Sequence, residues 1–334
     1  LACMDSLTHD SMTDRLHDSI PSVDLAEFLS GDPNRKANFV RELGDAYHTI
    51  GFVAVRNHFL SEALSNRLYE VTRAFFALPE AVKQQYEIPG LAGQRGYVGK
   101  GKEHAKGRNT GDLKEFYHVG QEVTDGDPIQ QEYPANVWPK ESHAFHTTAL
   151  EVYGQLERTG RYMLRAIALY LDLPENYFDD KVHNGNSILR PIHYFPIENP
   201  DAIPADAVRA AEHGDINLIT LLMGASADGL QVLRKDGHWI PITALPEQLV
   251  VNVGDMLERL TNKRLCSAIH RVVNPPRERM REPRYSIPFF MHPRSDMSLA
   301  ALPSCVSTQH PKQWEDITAG EFLNQRLREI GLRK

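Results

Sequence analysis

Ala211-Glu212-His213-Gly214-Asp215-Ile216-Asn217-Leu218-Ile219-Thr220-Leu221-Leu222 is the stretch whose reading decides the fold. After Asp215 the residues are mostly apolar and β-branched, which predicts a strand over 215–222. On a strand, side chains i and i+2 share a face, so His213 and Asp215 are expected to point the same way. On a helix they would lie roughly 200° apart and could not easily share one ion. His270 lies downstream in Ser267-Ala268-Ile269-His270-Arg271-Val272-Val273, a second strand-like run over 267–273. Two imidazoles and one carboxylate can take one face of an octahedral metal ion and leave three positions open. His213, Asp215 and His270 are therefore candidate metal ligands. His-x-Asp alone is a weak signal, because a chain with 15 His and 44 acidic residues yields such a tripeptide by chance.

The surrounding motifs add to it. Val250-Val251-Asn252-Val253-Gly254-Asp255-Met256 precedes His270-Arg271-Val272-Val273, and Arg284-Tyr285-Ser286-Ile287-Pro288-Phe289-Phe290 follows. Here the sequence resembles the isopenicillin N synthase-like branch of the Fe(II)/2-oxoglutarate-dependent dioxygenases, which are non-haem iron oxygenases. Members carry His-x-Asp, a distal His within His-Arg-Val, and Arg-x-Ser, in that order. Upstream, Ile20-Pro21-Ser22-Val23-Asp24-Leu25, Phe75-Phe76-Ala77-Leu78-Pro79, Arg95-Gly96-Tyr97 and Asp112-Leu113-Lys114-Glu115 resemble further phrases of the family. The resemblance covers nearly all of residues 19–330.

Composition bounds the alternatives. With 334 residues, 41% hydrophobic and 24% charged, the chain has the make-up of an ordinary soluble protein. A net charge of -7 argues against a general nucleic-acid or membrane-surface binder. No apolar run is long enough to span a bilayer. The first residues lack a basic segment followed by an apolar one, so no secretory signal is expected. Cys3, Cys266 and Cys305 form neither a metal pattern nor a disulfide framework, which fits a reducing cytoplasm.

Along the chain, residues 1–18 read as a flexible tail. A strand is expected at 20–25 and an amphipathic helix over 37–50, with Phe39, Val40, Leu43, Ala46, Tyr47 and Ile50 at helical spacing. A strand at 51–55 follows, then a helix capped by Ser61 and running to about Phe76. Residues 90–111 are rich in Gly and Lys but lack the Gly-x-x-x-x-Gly-Lys-[Ser/Thr] pattern of a phosphate loop. They read as a surface loop, or as a lid over a ligand. The longest helical pattern spans His143–Leu171 and should lie on the back of a sheet. Short strands then succeed one another at 187–195, 215–222, 229–234, 238–242, 248–253, 267–273 and 284–291, which argues for a double-sheet β-barrel. Residues 317–330 form a closing helix, with a capping box from Thr318 and Glu321. The expected units are a helical and strand region at 19–182, the barrel core at 183–295 and a helical extension at 296–334.

The resemblance agrees and implies a mainly β protein: a distorted double-stranded β-helix, or jelly roll, with the metal inside and a supporting helical N-terminal part. It implies Fe(II), with 2-oxoglutarate as cosubstrate and O2, and His213, Asp215 and His270 as catalytic metal ligands. Arg284 and Ser286 share a strand face, where a guanidinium and a hydroxyl make a good carboxylate receptor. In the family this pair holds the distal carboxylate of 2-oxoglutarate, or a substrate carboxylate in isopenicillin N synthase itself. A Tyr just before a Pro often contacts the same carboxylate. Tyr194 matches best, although Phe195 intervenes before Pro196. His193 should face the other way, as a packing or surface residue, and Arg190 shares the Tyr194 face and could bind substrate. Asn252, Gly254 and Asp255 read as a turn. His58, His104, His118, His238 and His292 read as structural or exposed. The expected activity is hydroxylation or desaturation of a small molecule, releasing succinate and CO2. No nucleic-acid or membrane partner is expected, and a monomer is compatible with the sequence. Two other readings are an oxidase that uses O2 without 2-oxoglutarate and a non-catalytic metal-dependent binding protein on the same fold.

Overall fold

A computed structural model describes residues 17–103, 113–124, 126–203 and 208–331. The strands are β1 (Ser22–Asp24), β2 (Phe52–Arg56), β3 (Gly96–Val98), β4 (Lys114–Gly120), β5 (Ile188–Leu189), β6 (Ile192–Tyr194) and β7 (Val208–His213). They continue as β8 (Ile219–Met223), β9 (Leu230–Leu233), β10 (Trp239–Pro241), β11 (Leu249–Val253), β12 (His270–Val273), β13 (Arg284–Ser286) and β14 (Pro288–Met291). The helices are α1 (Leu25–Phe28), α2 (Pro33–Thr49), α3 (Glu62–Phe76), α4 (Glu80–Gln84), α5 (His143–Tyr170), α6 (Asp179–Val182), α7 (Asp255–Leu260) and α8 (Ala319–Glu329).

One sheet runs in the order β1-β2-β11-β8-β14-β5-β4-β6-β13, with β3 added to β4; a second runs β10-β9-β12-β7. Apart from β1 and β2, which are parallel, the pairs are antiparallel. The fold is a jelly roll with helices, as the sequence led one to expect. Strands from the N-terminal part and from the barrel share the larger sheet.

Side-chain alternation explains how two cores arise. Odd-numbered residues of β8 and β11 (Ile219, Leu221, Met223; Leu249, Val251, Val253) face the large core with the helices. Even-numbered Leu222 and Val250 instead join Ala210, Val232, Ile240 and Val272 of the short sheet. A pleated strand buried on both faces is the only local geometry that serves both layers. Burying a Leu or Val side chain this fully is worth about 1.5–3 kcal/mol. Helix α5, capped by Ser142, lies on the back of this sheet: Tyr153 meets Phe289 edge-on at 5.0 Å.

Several boundaries differ from the sequence reading. Helix α2 begins at Pro33, four residues early, because the Asp32 carboxylate accepts from the Asn34 N–H at 2.8 Å and Pro suits the first turn. The strand expected at 215–222 begins only at Ile219. The Asp215, Ile216 and Asn217 carbonyls instead accept from Asp255 and Met256 N–H groups at the start of α7, which replace ladder bonds. The strand expected at 187–195 breaks at Arg190-Pro191, where Pro has no N–H to offer. The strand expected at 284–291 breaks at Ile287, whose N–H donates to Ser226 Oγ at 3.1 Å. Residues 93–98, expected in a surface loop, instead enter β3 and are largely buried. Residues 104–111 of the lid segment, and 1–16 of the tail expected at 1–18, lie outside the described residues. The capping box of α8 is present as expected, with Thr318 and Glu321 satisfying each other's backbone. Among the described residues, no helix is long and apolar enough to cross a membrane.

Gly160 marks how closely α5 approaches the barrel. A Cβ there would fall 2.3 Å from Met291 Sδ, whereas Gly154 on the same helix has nothing within 4 Å. Gly160→Val should cost about 1–3 kcal/mol by overpacking. Gly154→Ala should stabilise by up to about 1 kcal/mol through helix propensity. Chemical denaturation of the two variants should therefore move the midpoint in opposite directions.

Candidate metal centre

His213 ends β7 and His270 opens β12, and the antiparallel register sets them directly opposite one another. Their rings lie 4.5 Å apart, centroid to centroid. Asp215 sits just past β7, in the segment held by α7, so it reaches the site from a loop and not from the strand face expected. Its Oδ1 lies 3.8 Å from His213 Nε2 and 3.5 Å from His270 Nε2. One ligand atom from each residue falls within 4.8 Å of the others.

The hydrogen bonds behind these atoms fix their chemistry. His213 Nδ1 donates to the Ala211 carbonyl at 2.7 Å, and His270 Nδ1 to the Ala268 carbonyl at 2.8 Å. A carbonyl can only accept, so each Nδ1 carries the proton and each Nε2 turns a lone pair inward. Asp215 Oδ2 accepts from Thr220 Oγ1 at 2.6 Å and Asn252 Nδ2 at 2.9 Å, which leaves Oδ1 for the two histidines. Thr220 and Asn252 are themselves cross-strand partners on β8 and β11. Burial works to raise the Asp215 pKa, but the two imidazoles and these two hydrogen bonds outweigh it and hold the carboxyl below its ordinary value. His213, although its edge opens to the cavity, is held neutral by its desolvated position and by His270, with its pKa lowered to about 4. Two imidazoles whose Nδ1 atoms are tied back to carbonyls, and one carboxylate, form a donor set suited to a divalent transition metal.

The triad lines a cavity of about 320 Å³. Arg284, Ser286 and Tyr194 line the same cavity. Arg284 and Tyr194 are register partners on β13 and β6, and the guanidinium carbon lies 5.0 Å from the Tyr194 ring centroid. Arg284 Nη2 donates to the Ser226 and Asp228 carbonyls at 2.7 and 3.2 Å, while its Nη1 is buried with no acceptor among the described residues. An orphaned guanidinium nitrogen on a cavity wall is what a carboxylate receptor requires. The phase left open by Phe195 is thus resolved by pairing: Tyr194 is on the cavity face, and His193 packs behind it against Tyr285 and Glu115.

Some other placements depart from the sequence reading, and others agree with it. Asn252 belongs to β11 and holds Asp215, and Gly254 caps α7; only there does the chain turn. His118 and His292 are buried on the cavity wall. Arg190 lines the cavity too, donating to His118 Nε2 at 2.6 Å and pairing with Glu103 at 3.2 Å. Lys114 shares Glu103 at 3.1 Å. His58 bonds the Glu247 carbonyl and His238 pairs with Asp236 at the surface; His104 lies outside the described residues. The cavity is closed by α8 through Leu323, Arg326, Leu327 and the following Ile330, and Arg326 is anchored 3.2 Å from Asp255. Thr220, Asn252, Arg95 and His292 carried no sequence signal as site residues, beyond Asn252 and Arg95 falling within family-like phrases.

Comparison with known proteins follows this geometry. Residues 185–293 match the 2OG-Fe(II) oxygenase superfamily, and residues 20–141 match the N-terminal region described as that of a non-haem dioxygenase in morphine synthesis. A proline hydroxylase of Petromyces alliaceus, buaE, is 32% identical over 321 residues, covering 92% of this chain and 98% of its own length. The crystal structure of a 2OG-Fe(II) oxygenase family protein of Caulobacter crescentus is 44% identical, with a TM-score of 0.84 and coverage of 93% and 99%. A full-length Neurospora crassa protein, crystallised in complex with alpha-KG, is 31% identical, with a TM-score of 0.81 and coverage of 92% and 95%.

Because Thr220 and Asn252 act on the candidate ligand Asp215 and are not themselves in the triad, their loss should be graded. Removing a partner behind a metal ligand typically costs about 10–100-fold in metal affinity. Thr220→Val and Asn252→Ala should each weaken Fe(II) binding by that factor in an anaerobic titration, with circular dichroism unchanged.

Proposed function

Because the chain belongs to the 2OG-Fe(II) oxygenase superfamily and is an Fe(II)- and 2-oxoglutarate-dependent dioxygenase, we propose that His213, Asp215 and His270 hold its iron and that Arg284, Ser286 and Tyr194 receive the distal carboxylate of 2-oxoglutarate. One observation carries the metal assignment: both histidines tie Nδ1 to a backbone carbonyl, so three unprotonated ligand atoms converge. The buried, unpaired Nη1 of Arg284 supports the second.

When bound, iron and 2-oxoglutarate supply the power to oxidise a substrate with O2, the cosubstrate leaving as succinate and CO2. The protein's own residues position and insulate. Asp215 gives the centre its one anionic ligand, and Thr220 and Asn252 fix which oxygen it offers. Arg284, steadied by two backbone carbonyls and lying over Tyr194, keeps one nitrogen for the cosubstrate. Phe52 meets the His270 ring edge-on at 5.6 Å and restricts its rotation. Leu222, Leu230 and Val272 line the wall with apolar surface that excludes water. The substrate is a small molecule, as a cavity of about 320 Å³ suits. In this reading residues 183–295 carry the chemistry and 19–182 and 296–334 enclose it. Free Cys266 and Cys305 suit a reducing cytoplasm.

His213→Ala, Asp215→Ala and His270→Ala should each abolish tight Fe(II) binding while the fold survives; wild-type affinity in any one would remove that residue from the centre. Losing one partner of a buried ion pair costs about 3–5 kcal/mol. Arg284→Gln should therefore weaken 2-oxoglutarate binding by roughly two to four powers of ten and leave Fe(II) binding nearly intact. The wild type should also release succinate slowly from 2-oxoglutarate and O2 alone. A metal-loaded wild type that turns over a substrate yet ignores 2-oxoglutarate would overturn the cosubstrate assignment.

A further inference from the structure

Arg95 is the largest fully buried side chain among the described residues, 1% exposed, and it lines the cavity of the metal centre. Its Nη1 donates to the Gln94 carbonyl at 2.8 Å, but Nε and Nη2 have no acceptor among the described residues. Burial works against its charge and outweighs what its neighbours return. A guanidinium withdrawn from water without a counter-charge is a costly arrangement, retained in a folded protein where something else completes it.

The seat of this group is built. A Cβ on Gly120 would fall 1.9 Å from Arg95 Cζ, so the guanidinium occupies the space that a side chain would take. Gly120 ends β4 on the face that also turns Lys114 and His118 into the cavity. His292 adds a second unpartnered group: it is 8% exposed, lines the cavity, and its Nδ1 has no hydrogen-bond partner among the described residues. Burial holds its imidazole neutral, with a pKa lowered to about 4 against the opposing pull of Asp215.

The other cations of the cavity are accounted for. Lys114 and Arg190 share Glu103, Arg326 has Asp255, and Arg284 is taken by 2-oxoglutarate on the reading above, on which this step rests. Among the described residues of the wall, Arg95 alone is left without an anion. We infer that Arg95 and His292 form the receptor for a carboxylate of the prime substrate, so that the enzyme oxidises a small carboxylic acid.

The test uses the full chain loaded with Mn(II), which occupies the centre without turnover, and saturating 2-oxoglutarate, which fills the Arg284 site. The probes are benzoate, phenylacetate and hexanoate, each set against its neutral amide and measured by calorimetry and thermal shift. At least one acid should bind the wild type tenfold or more tightly than its amide. Arg95→Met should erase that preference and leave Mn(II) and 2-oxoglutarate affinities within twofold of wild type. Without a probe, Arg95→Met should melt no lower than wild type, because it removes an uncompensated buried charge. Gly120→Ala should lose the same preference by unseating the guanidinium with its charge intact. A wild type that prefers no acid to its amide overturns the proposal, as does a preference that survives Arg95→Met. So does an Arg95→Met protein that melts well below wild type in the absence of probe, which would make Arg95 a packing residue. Failure of the wild type to bind Mn(II) and 2-oxoglutarate would instead sink the assignment on which the proposal rests, and the proposal with it.

Discussion

The Asp215 carboxylate sets the terms for everything near it. It is buried, one oxygen is saturated by Thr220 and Asn252, and the other faces two imidazole nitrogens that turn lone pairs toward it. An anion in that position needs a cation. A divalent metal satisfies the carboxylate and both lone pairs at once. The surrounding fold is arranged to keep this gap open: β7 and β12 are paired in the register that opposes the histidines, and the start of α7 grips the backbone of 215–217.

The central strands serve two layers because of their period. Along β8 and β11, every second side chain packs with the helices, while the intervening ones fill the space between the sheets or face the cavity. Thr220 and Asn252 occupy intervening positions, opposite one another, where an apolar pair would otherwise complete the inner core. The polar patch is therefore a substitution within an ordinary barrel pattern, and it is satisfied because it grips Asp215. The breaks at Pro191 and Ile287 have a comparable logic. They detach β6 and β13 from β5 and β14, and in those detached pieces Tyr194 and Arg284 become partners on the cavity wall.

Charge is distributed unevenly around the cavity. Glu103 is shared by two cations and Asp255 steadies Arg326, so these positions are close to neutral. Arg284 and Arg95 keep unpaired nitrogens in buried positions. Arg326 Nε and His292 Nδ1, on the same cavity, also lack a hydrogen-bond partner among the described residues, and such groups are rare in folded interiors.

The sequence by itself determined the barrel, the long back helix and the order of the metal motifs, because these are written in local periodicity and in short phrases. Residues 248–253 are a short, mostly apolar run, 143–171 carry an apolar stripe at helical spacing, and Thr318 and Glu321 make a capping box within one turn. It also named His213, Asp215, His270, Arg284, Ser286 and Tyr194, all of which surround one cavity. Only the tertiary structure decided that Asp215 leaves the strand, since the start of α7, contributed from Asp255 onward, takes its backbone bonds. Only it revealed Asn252 and Thr220 behind Asp215, or Arg95 seated in the space over Gly120. Those roles depend on strand register and on which buried donors find no acceptor, and both are fixed by contacts between residues far apart in the chain, about which a local pattern carries no information.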